Sequence, residues 1–295
     1  MTLTRREITE LLSRNGIRPS RALGQNFVVD PNTVRRIARL AGVGPGDRVV
    51  EIGAGLGSLT LALAGTGATV VAVELDRYIV PVLRSLVEPK GVRVVEGDAL
   101  RLNWAELLGD SDSDGDTDTD TDTGGDGHGG PWVLVANLPY NVATPLVLTL
   151  LEGAPMIGRM LVMVQREAGE RFAAGPGDDA YGAVSVKLAY RARASVVGRV
   201  PATVFVPQPN VESVLVSVER RPAPAVDVDE ARFFRLVEAG FAHRRKMLRG
   251  ALAGLVDEAA FATAGVRPEA RAEELDVETW GRLSACSATS GPSPS

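Results

Sequence analysis

A carboxamide, a rigid proline and an aromatic ring stand together in Asn137-Leu138-Pro139-Tyr140. The apolar run before them, Trp132-Val133-Leu134-Val135-Ala136, reads as a buried strand, so they fall where a parallel strand ends and a binding crevice opens. That combination suits the gripping of a planar, nitrogen-bearing ring beside a methyl donor. An adenine-type amine is a poor nucleophile because its lone pair is delocalised into the ring. Hydrogen bonds from the NH₂ to the Asn137 side-chain oxygen and to a backbone carbonyl, that of Leu138, would favour a pyramidal nitrogen. Its lone pair would then face the methyl group for in-line displacement. Pro139 fixes φ and aims the carbonyl in advance. Tyr140 offers a π-face, and stacking of a base on such a ring is worth roughly 1–3 kcal/mol. A base taken from a helix must first be flipped out. No strong general base is needed, because the alkylated amine is acidic enough to give its proton to water.

The donor would lie in a second stretch, Glu51-Ile52-Gly53-Ala54-Gly55-Leu56-Gly57, which follows a strand and precedes a helix. Glycines there permit a tight turn and close approach of a nucleoside-type ligand such as S-adenosylmethionine. An ordinary strand-helix connection would look similar. The dinucleotide fingerprint GxGxxG is a nearer competitor, but Ser58 occupies its third glycine position. Glu74 ends the next strand, 21 residues after Gly53, where an acidic side chain can accept hydrogen bonds from both ribose hydroxyls. A solvated surface Glu is the plainer alternative. Asp98 follows the third strand; it could accept from the exocyclic amine of a cofactor adenine or cap the following helix. Three strand ends with compatible roles outweigh any one of them.

These residues need a scaffold of alternating elements. Helices are expected over Leu3–Gly16, Pro31–Ala41, Ser58–Ala64, Arg77–Val87, Thr144–Leu151 and Ala180–Arg191. Strands are expected over Arg48–Ile52, Thr69–Glu74, Val92–Glu96, Trp132–Ala136 and Met160–Val164, with late strands at Val196–Val200 and Val214–Glu219 that could pair at one edge. Such alternation predicts an α/β fold with a mostly parallel sheet covered on both faces. From about Pro222 the pattern is helical without strands. The expected division is therefore a catalytic domain over 1–221, a small all-helical domain over 222–285, and a disordered tail over 286–295.

Composition bounds the rest. With 295 residues and 45% apolar content the chain can bury a real core. Its single cysteine, Cys286, excludes a disulfide framework and fits a cytoplasmic setting. Neither a membrane-length apolar run nor a signal-peptide centre is present, so no membrane partner is expected. The net charge of −5 misleads, because Gly109 to Gly130 holds eight Asp and no Lys, Arg or Glu. With those set aside the remainder carries +3. This Asp/Thr/Ser/Gly tract reads as a disordered acidic loop over 109–130; a calcium loop would want a closing Glu, which it lacks. His128 and His243 have no second His or Cys spaced for a metal, and none is expected.

Further stretches complete a pattern: Leu23-Gly24-Gln25-Asn26-Phe27-Val28, Gly97-Asp98-Ala99, Val204 to Ser213 and Phe241-Ala242-His243-Arg244-Arg245-Lys246. With the two stretches above, and in this order, the chain resembles the ribosomal RNA adenine dimethyltransferases of the dimethyladenosine transferase type. The likeness runs from about Arg21 to about Leu283, broken by the acidic loop. It implies a Rossmann-like, class I S-adenosylmethionine-dependent methyltransferase fold. The implied reaction dimethylates the exocyclic amines of two adjacent adenosines near the 3′ end of small-subunit ribosomal RNA, within an immature small ribosomal subunit. Carried over by position, Asn26, Val28, Gly53, Glu74, Asp98 and Asn137 would line the cofactor site, with Gln25, Gly55 and Ala99 beside them. Asn137, Leu138, Pro139 and Tyr140 would form the catalytic motif, and Phe205 would help hold the target base.

A basic cluster, Arg244, Arg245, Lys246 and Arg249 on an expected C-terminal helix, would contact RNA phosphates, although such faces are often merely solvated. The N-terminus is basic too. The protein is expected to act as a monomer. Three other readings stay open: a resistance-type methyltransferase of large-subunit ribosomal RNA, a ribosome-assembly or transcription factor without catalysis, and, more distantly, a nicotinamide oxidoreductase. The first of these usually has Ile in place of Leu138.

Overall fold

The computed structural model describes residues 2–20, 23–109, 130–139, 142–243 and 245–287. Tyr140, Arg244, His128, nearly all of the acidic tract and the tail from residue 288 lie outside them. The described chain forms two compact units. One comprises the chain to Arg166 plus Val197–Val218; the other comprises Glu167–Val196 plus the chain from Glu219.

The first unit is a Rossmann-like α/β layer. Strand β1 (Phe27–Val28) stands apart from the main sheet, which begins with β2 (Arg48–Ile52), β3 (Thr69–Glu74) and β4 (Arg93–Glu96). It continues with β5 (Trp132–Asn137) and β6 (Ile157–Gln165), followed by β7 (Ala192–Val200), the short β8 (Phe205–Val206) and β9 (Ser213–Arg220). The seven-stranded sheet runs in the order β4-β3-β2-β5-β6-β9-β7. Pairings from β4 through β6 are all parallel. The late strands β9 and β7 do lie together at one edge, as the sequence suggested. Val49, Val50, Leu134 and Val135 are fully buried, and each such side chain is worth about 1.5–3 kcal/mol of burial.

Local chemistry sets the helix ends. Helix α1 (Arg5–Arg14) opens on a capping box, in which Thr4 Oγ1 accepts the Glu7 N–H and Glu7 Oε2 accepts the Thr4 N–H at 2.7 Å. Helix α2 (Pro31–Ala41) starts with Pro31 behind Asp30, whose carboxylate accepts the Thr33 N–H at 2.8 Å. The unit's other helices are α3 (Ser58–Ala64), α4 (Val80–Val87), α5 (Trp104–Leu108) and α6 (Ala143–Gly153).

The second unit contains α7 (Arg166–Ala173), α8 (Ala183–Arg191), α9 (Glu230–Ala242), α10 (Leu248–Ala251), α11 (Glu258–Ala264) and α12 (Val277–Cys286). Its core gathers Tyr181, Val186 and Tyr190 with Phe233, Leu248 and Trp280. Tyr190 stacks 5.0 Å from Phe233, and the Tyr181 hydroxyl donates to the Leu275 carbonyl at 2.8 Å. These apolar contacts group the chain from Glu167 to Val196 with the C-terminal helices, whereas the sequence placed that stretch in the first domain. The helical part also extends past the expected limit of 285. Cys286 closes α12, and Ser287 is buried with its N–H on the Leu283 carbonyl.

Candidate active site

Sheet register brings the chemistry to one edge. Ile52 pairs with Val73 on one side and Ala136 on the other, and Glu74 pairs with Glu96. Gly53, Glu74, Asn137 and, two residues past Glu96, Asp98 therefore all emerge where the parallel strands end. Strands β3 and β4 lie to one side of β2, and β5 and β6 lie to the other. Between β2 and β5 the order reverses, and in open α/β sheets that is where a ligand crevice forms. A Cβ added to Gly53 would lie only 3.5 Å from the Asn137 carbonyl oxygen.

A cleft opens over this edge, lined among others by Gln25, Asn26, Val28, Gly53, Gly55, Glu74, Asp98, Ala99, Asn137 and Pro139. Leu138 and Phe205 do not line it. Leu138 turns its side chain into the interior, leaving only its backbone for chemistry. Phe205 is 1% exposed and sits in the unit's hydrophobic core. The ring expected to help hold the target base is instead packed in the unit's interior, beside the β8–β1 pair.

Each wall of the cleft has an identifiable fixing interaction. Glu74 is 7% exposed, so it is no solvated surface carboxylate. Its Oε2 accepts the Gly55 N–H at 2.7 Å and its Oε1 accepts the Asp76 N–H at 2.9 Å. Burial raises its pKa, and those backbone donors oppose the rise. Each oxygen keeps a further lone pair for a ligand hydroxyl. Gly55 has φ +57°, and a Cβ there would press 3.1 Å from the Phe27 ring. Asp98 does not cap a helix as one alternative held. Its Oδ1 accepts the Leu100 N–H at 3.0 Å in a turn, and α5 is capped by Asn103 instead.

The opposite wall is the strap from Leu23 to Val29, which the short β1 seats on β8. Phe27 pairs with Val206, Val28 with Phe205, and the Val29 N–H donates to the Val204 carbonyl at 2.8 Å. Asn137 Nδ2 donates to the Asn26 carbonyl at 3.0 Å. That bond sets the amide's orientation and leaves its oxygen uncommitted among the described residues. The peptides that follow are also held. The Leu138 N–H donates to the Met163 carbonyl at 3.0 Å, and the Pro139 carbonyl accepts from Val142 and Ala143, both at 3.1 Å.

Two residues escaped the sequence reading as site members. Glu51 lines the cleft at 2% exposure, and its Oε2 has no hydrogen-bond partner. Burial, reinforced by the charge of Glu74 and opposed by the Thr60 hydroxyl, pushes its pKa up to about 8. An acidic residue inside the buried strand Arg48–Ile52 was the available signal. Asp76 is the second; it does not line the cleft itself, but its side chain accepts from Nε2 of the lining residue Gln25 at 2.8 Å.

In the second unit, Arg245 and Lys246 are exposed in the turn between α9 and α10, not on a helix as expected. Helix α9 stops at Ala242, and the Lys246 N–H closes onto the His243 carbonyl at 2.7 Å. Arg249 lies on α10, paired with Glu269 at 3.3 Å. Among the described residues no group of three or more His, Cys, Asp or Glu is placed to hold a metal ion. Nor is any of their helices long and apolar enough to cross a membrane.

The family model described as ribosomal RNA adenine dimethylase matches residues 17–288. This chain belongs to the ribosomal RNA adenine dimethylase family. Among its relatives, ribosomal RNA small subunit methyltransferase A of Kineococcus radiotolerans is 46% identical, over 96% of this chain and 91% of its own length. The protein of the same name from Thermobifida fusca is 45% identical, over 95% and 94%. Two solved structures share the fold. A dimethyladenosine transferase from Plasmodium falciparum aligns with TM-score 0.65 at 21% identity, over 86% of this chain and 94% of its own. The 23S rRNA methyltransferase ErmE aligns with TM-score 0.64 at 24% identity, over 88% and 98%. At those identities the two structures speak for the fold of this family member, not for its substrate.

Proposed function

We propose that this member of the ribosomal RNA adenine dimethylase family transfers methyl groups from S-adenosylmethionine to the exocyclic amines of two adjacent adenosines near the 3′ end of small-subunit ribosomal RNA. The observation that carries the reading is the Asn137 amide, held by the Asn26 carbonyl at the mouth of a cleft built for a nucleoside. Its free oxygen is an acceptor at the end of β5, beside a peptide that Pro139 and the Met163 carbonyl keep from turning.

The residues present fit the cofactor. Glu74 has spare lone pairs for a ribose diol, Asp98 stands at the adenine end, and the unpartnered Glu51 oxygen fits a cationic ammonium. Gln25, Val28 and Ala99 supply further wall, and Gly55 keeps space beneath Phe27. The bound cofactor supplies a sulfonium methyl group. The protein's part is to present the amine. The Asn137 oxygen and the Leu138 carbonyl accept its two hydrogens, which holds the nitrogen pyramidal with its lone pair toward the donor. With Phe205 buried, base stacking falls to Tyr140, outside the described residues. Arg245, Lys246 and Arg249, with Arg244, provide phosphate contacts in the helical unit. This reading makes the protein a cytoplasmic monomer that visits the immature small subunit.

The test uses labelled S-adenosylmethionine with either immature small subunits or naked large-subunit RNA, followed by mapping of the modified bases. Dimethylation of two neighbouring small-subunit adenosines is expected. Transfer to a large-subunit adenosine, or subunit binding without transfer, would replace the reading with one of its rivals.

A further inference from the structure

We propose that Asp76 is a positioning residue that ties the N-terminal strap to the ribose-side carboxylate and so governs how tightly the cofactor is retained. The inference rests on the methyl-transfer reading above. Asp76, two residues beyond β3, addresses three places at once. Its backbone N–H donates to Glu74 Oε1 at 2.9 Å. Its Oδ1 accepts the Tyr78 N–H at 2.9 Å, and its carbonyl accepts from Ile79 at 2.9 Å and Val80 at 3.0 Å, anchoring the turn into α4. The remaining oxygen, Oδ2, accepts from Gln25 Nε2 at 2.8 Å, across 51 residues of sequence.

Gln25 is committed on its other side as well. Its Oε1 accepts the Ser20 N–H at 2.7 Å, and its own N–H donates to the Ser20 carbonyl at 3.0 Å. With the amide oxygen held by a donor, its nitrogen is presented to Asp76 and cannot turn away without losing both bonds. One residue further, the Asn26 carbonyl receives Asn137 Nδ2. A continuous path therefore runs from Glu74 through Asp76, Gln25 and Asn26 to Asn137. It joins the carboxylate assigned to the ribose to the amide assigned to the target amine. Upstream of Phe27 the strap has little apolar anchorage, since Gly24, Gln25 and Asn26 are only half-buried. The bond to a charged acceptor is what fixes that portion over the cleft.

Dissociation constants for S-adenosylhomocysteine by titration calorimetry, and KM for S-adenosylmethionine and for immature subunits, test this in five proteins. They are the wild type, Asp76→Ala, Gln25→Ala, the double alanine variant, and the reciprocal pair Gln25→Glu with Asp76→Asn. Each single alanine change should weaken cofactor affinity about tenfold, as loss of one charge-assisted bond does, with KM for RNA nearly unchanged. The double variant should be no worse than either single one, because both remove the same bond. The reciprocal pair should recover affinity, since the new amide nitrogen donates to the new carboxylate while its oxygen keeps the Tyr78 N–H. Should Asp76→Ala lower the melting temperature, Gln25→Ala, which leaves the α4 turn intact, decides. Cofactor affinity within about twofold of wild type in Gln25→Ala, additive losses, or no recovery in the reciprocal pair would overturn the role of Asp76. Absence of any wild-type transfer to ribosomal RNA would instead overturn the underlying reading.

Discussion

Replacing Glu51 by Gln keeps the shape of the side chain and removes its ability to ionise. Burial holds the folded-state carboxyl at a pKa of about 8, against an ordinary value of 4.5. Below pH 4.5 the group is protonated in folded and unfolded chains alike, and it exerts no pH-dependent effect on stability. Above 4.5 the unfolded chain ionises while the folded one does not. Stability then falls by about 1.4 kcal/mol for each pH unit until the folded group ionises near pH 8, a total on the order of 5 kcal/mol. Glu51→Gln escapes that loss. Denaturant unfolding of the ligand-free proteins should give nearly equal stabilities at pH 5 and a gap of several kcal/mol in favour of the variant at pH 8. Cofactor affinity should move the other way, because the variant loses a carboxyl that can ionise when a cationic ammonium binds beside it. A stability gap that is constant or shrinks with rising pH would refute the placement of a buried carboxyl in the cleft.

Other expectations follow from single contacts. Gly55→Ala places a Cβ at φ +57° and 3.1 Å from Phe27, so calorimetry should find cofactor affinity at least about tenfold weaker. Gly57→Ala would drive a Cβ to 2.8 Å from Val87 and 2.9 Å from Leu83 on α4, costing about 1–3 kcal/mol in denaturant unfolding. Arg245→Ala with Lys246→Ala should make RNA binding less salt-dependent, the log–log slope dropping by about one per lost phosphate contact, with cofactor affinity intact. Equal loss of both affinities would make the cluster structural.

Much of the first unit was legible because its signals are local. Arg48–Ile52, Ser58–Ala64 and Thr69–Glu74 are apolar runs bounded by Gly or turn residues, and the structure reproduces those limits. Parallel register then follows, since equal runs in βαβ units must end at one edge for their side chains to be buried on both faces. The strap was not legible. Its β1–β8 pair is two residues long and joins Phe27 to Val206, so no periodicity announces it. For the same reason the inward turn of Phe205 could not be read, and an aromatic near a base pocket looked available. The end of α9 shows tertiary structure overriding local preference. No Gly or Pro follows Ala242, yet the Leu248 N–H is drawn to the Ala270 carbonyl and the chain turns. Glu51 was visible as a charge inside an apolar strand, but its lack of a partner is a property of packing alone.

Single-turnover transfer of labelled methyl groups to immature small subunits by Asn137→Ala, at saturating S-adenosylmethionine, tests most directly whether that amide presents the target amine. Removal of an aligned transition-state hydrogen bond should slow transfer by about 100-fold or more while the subunits still bind. Transfer at the wild-type rate would contradict it.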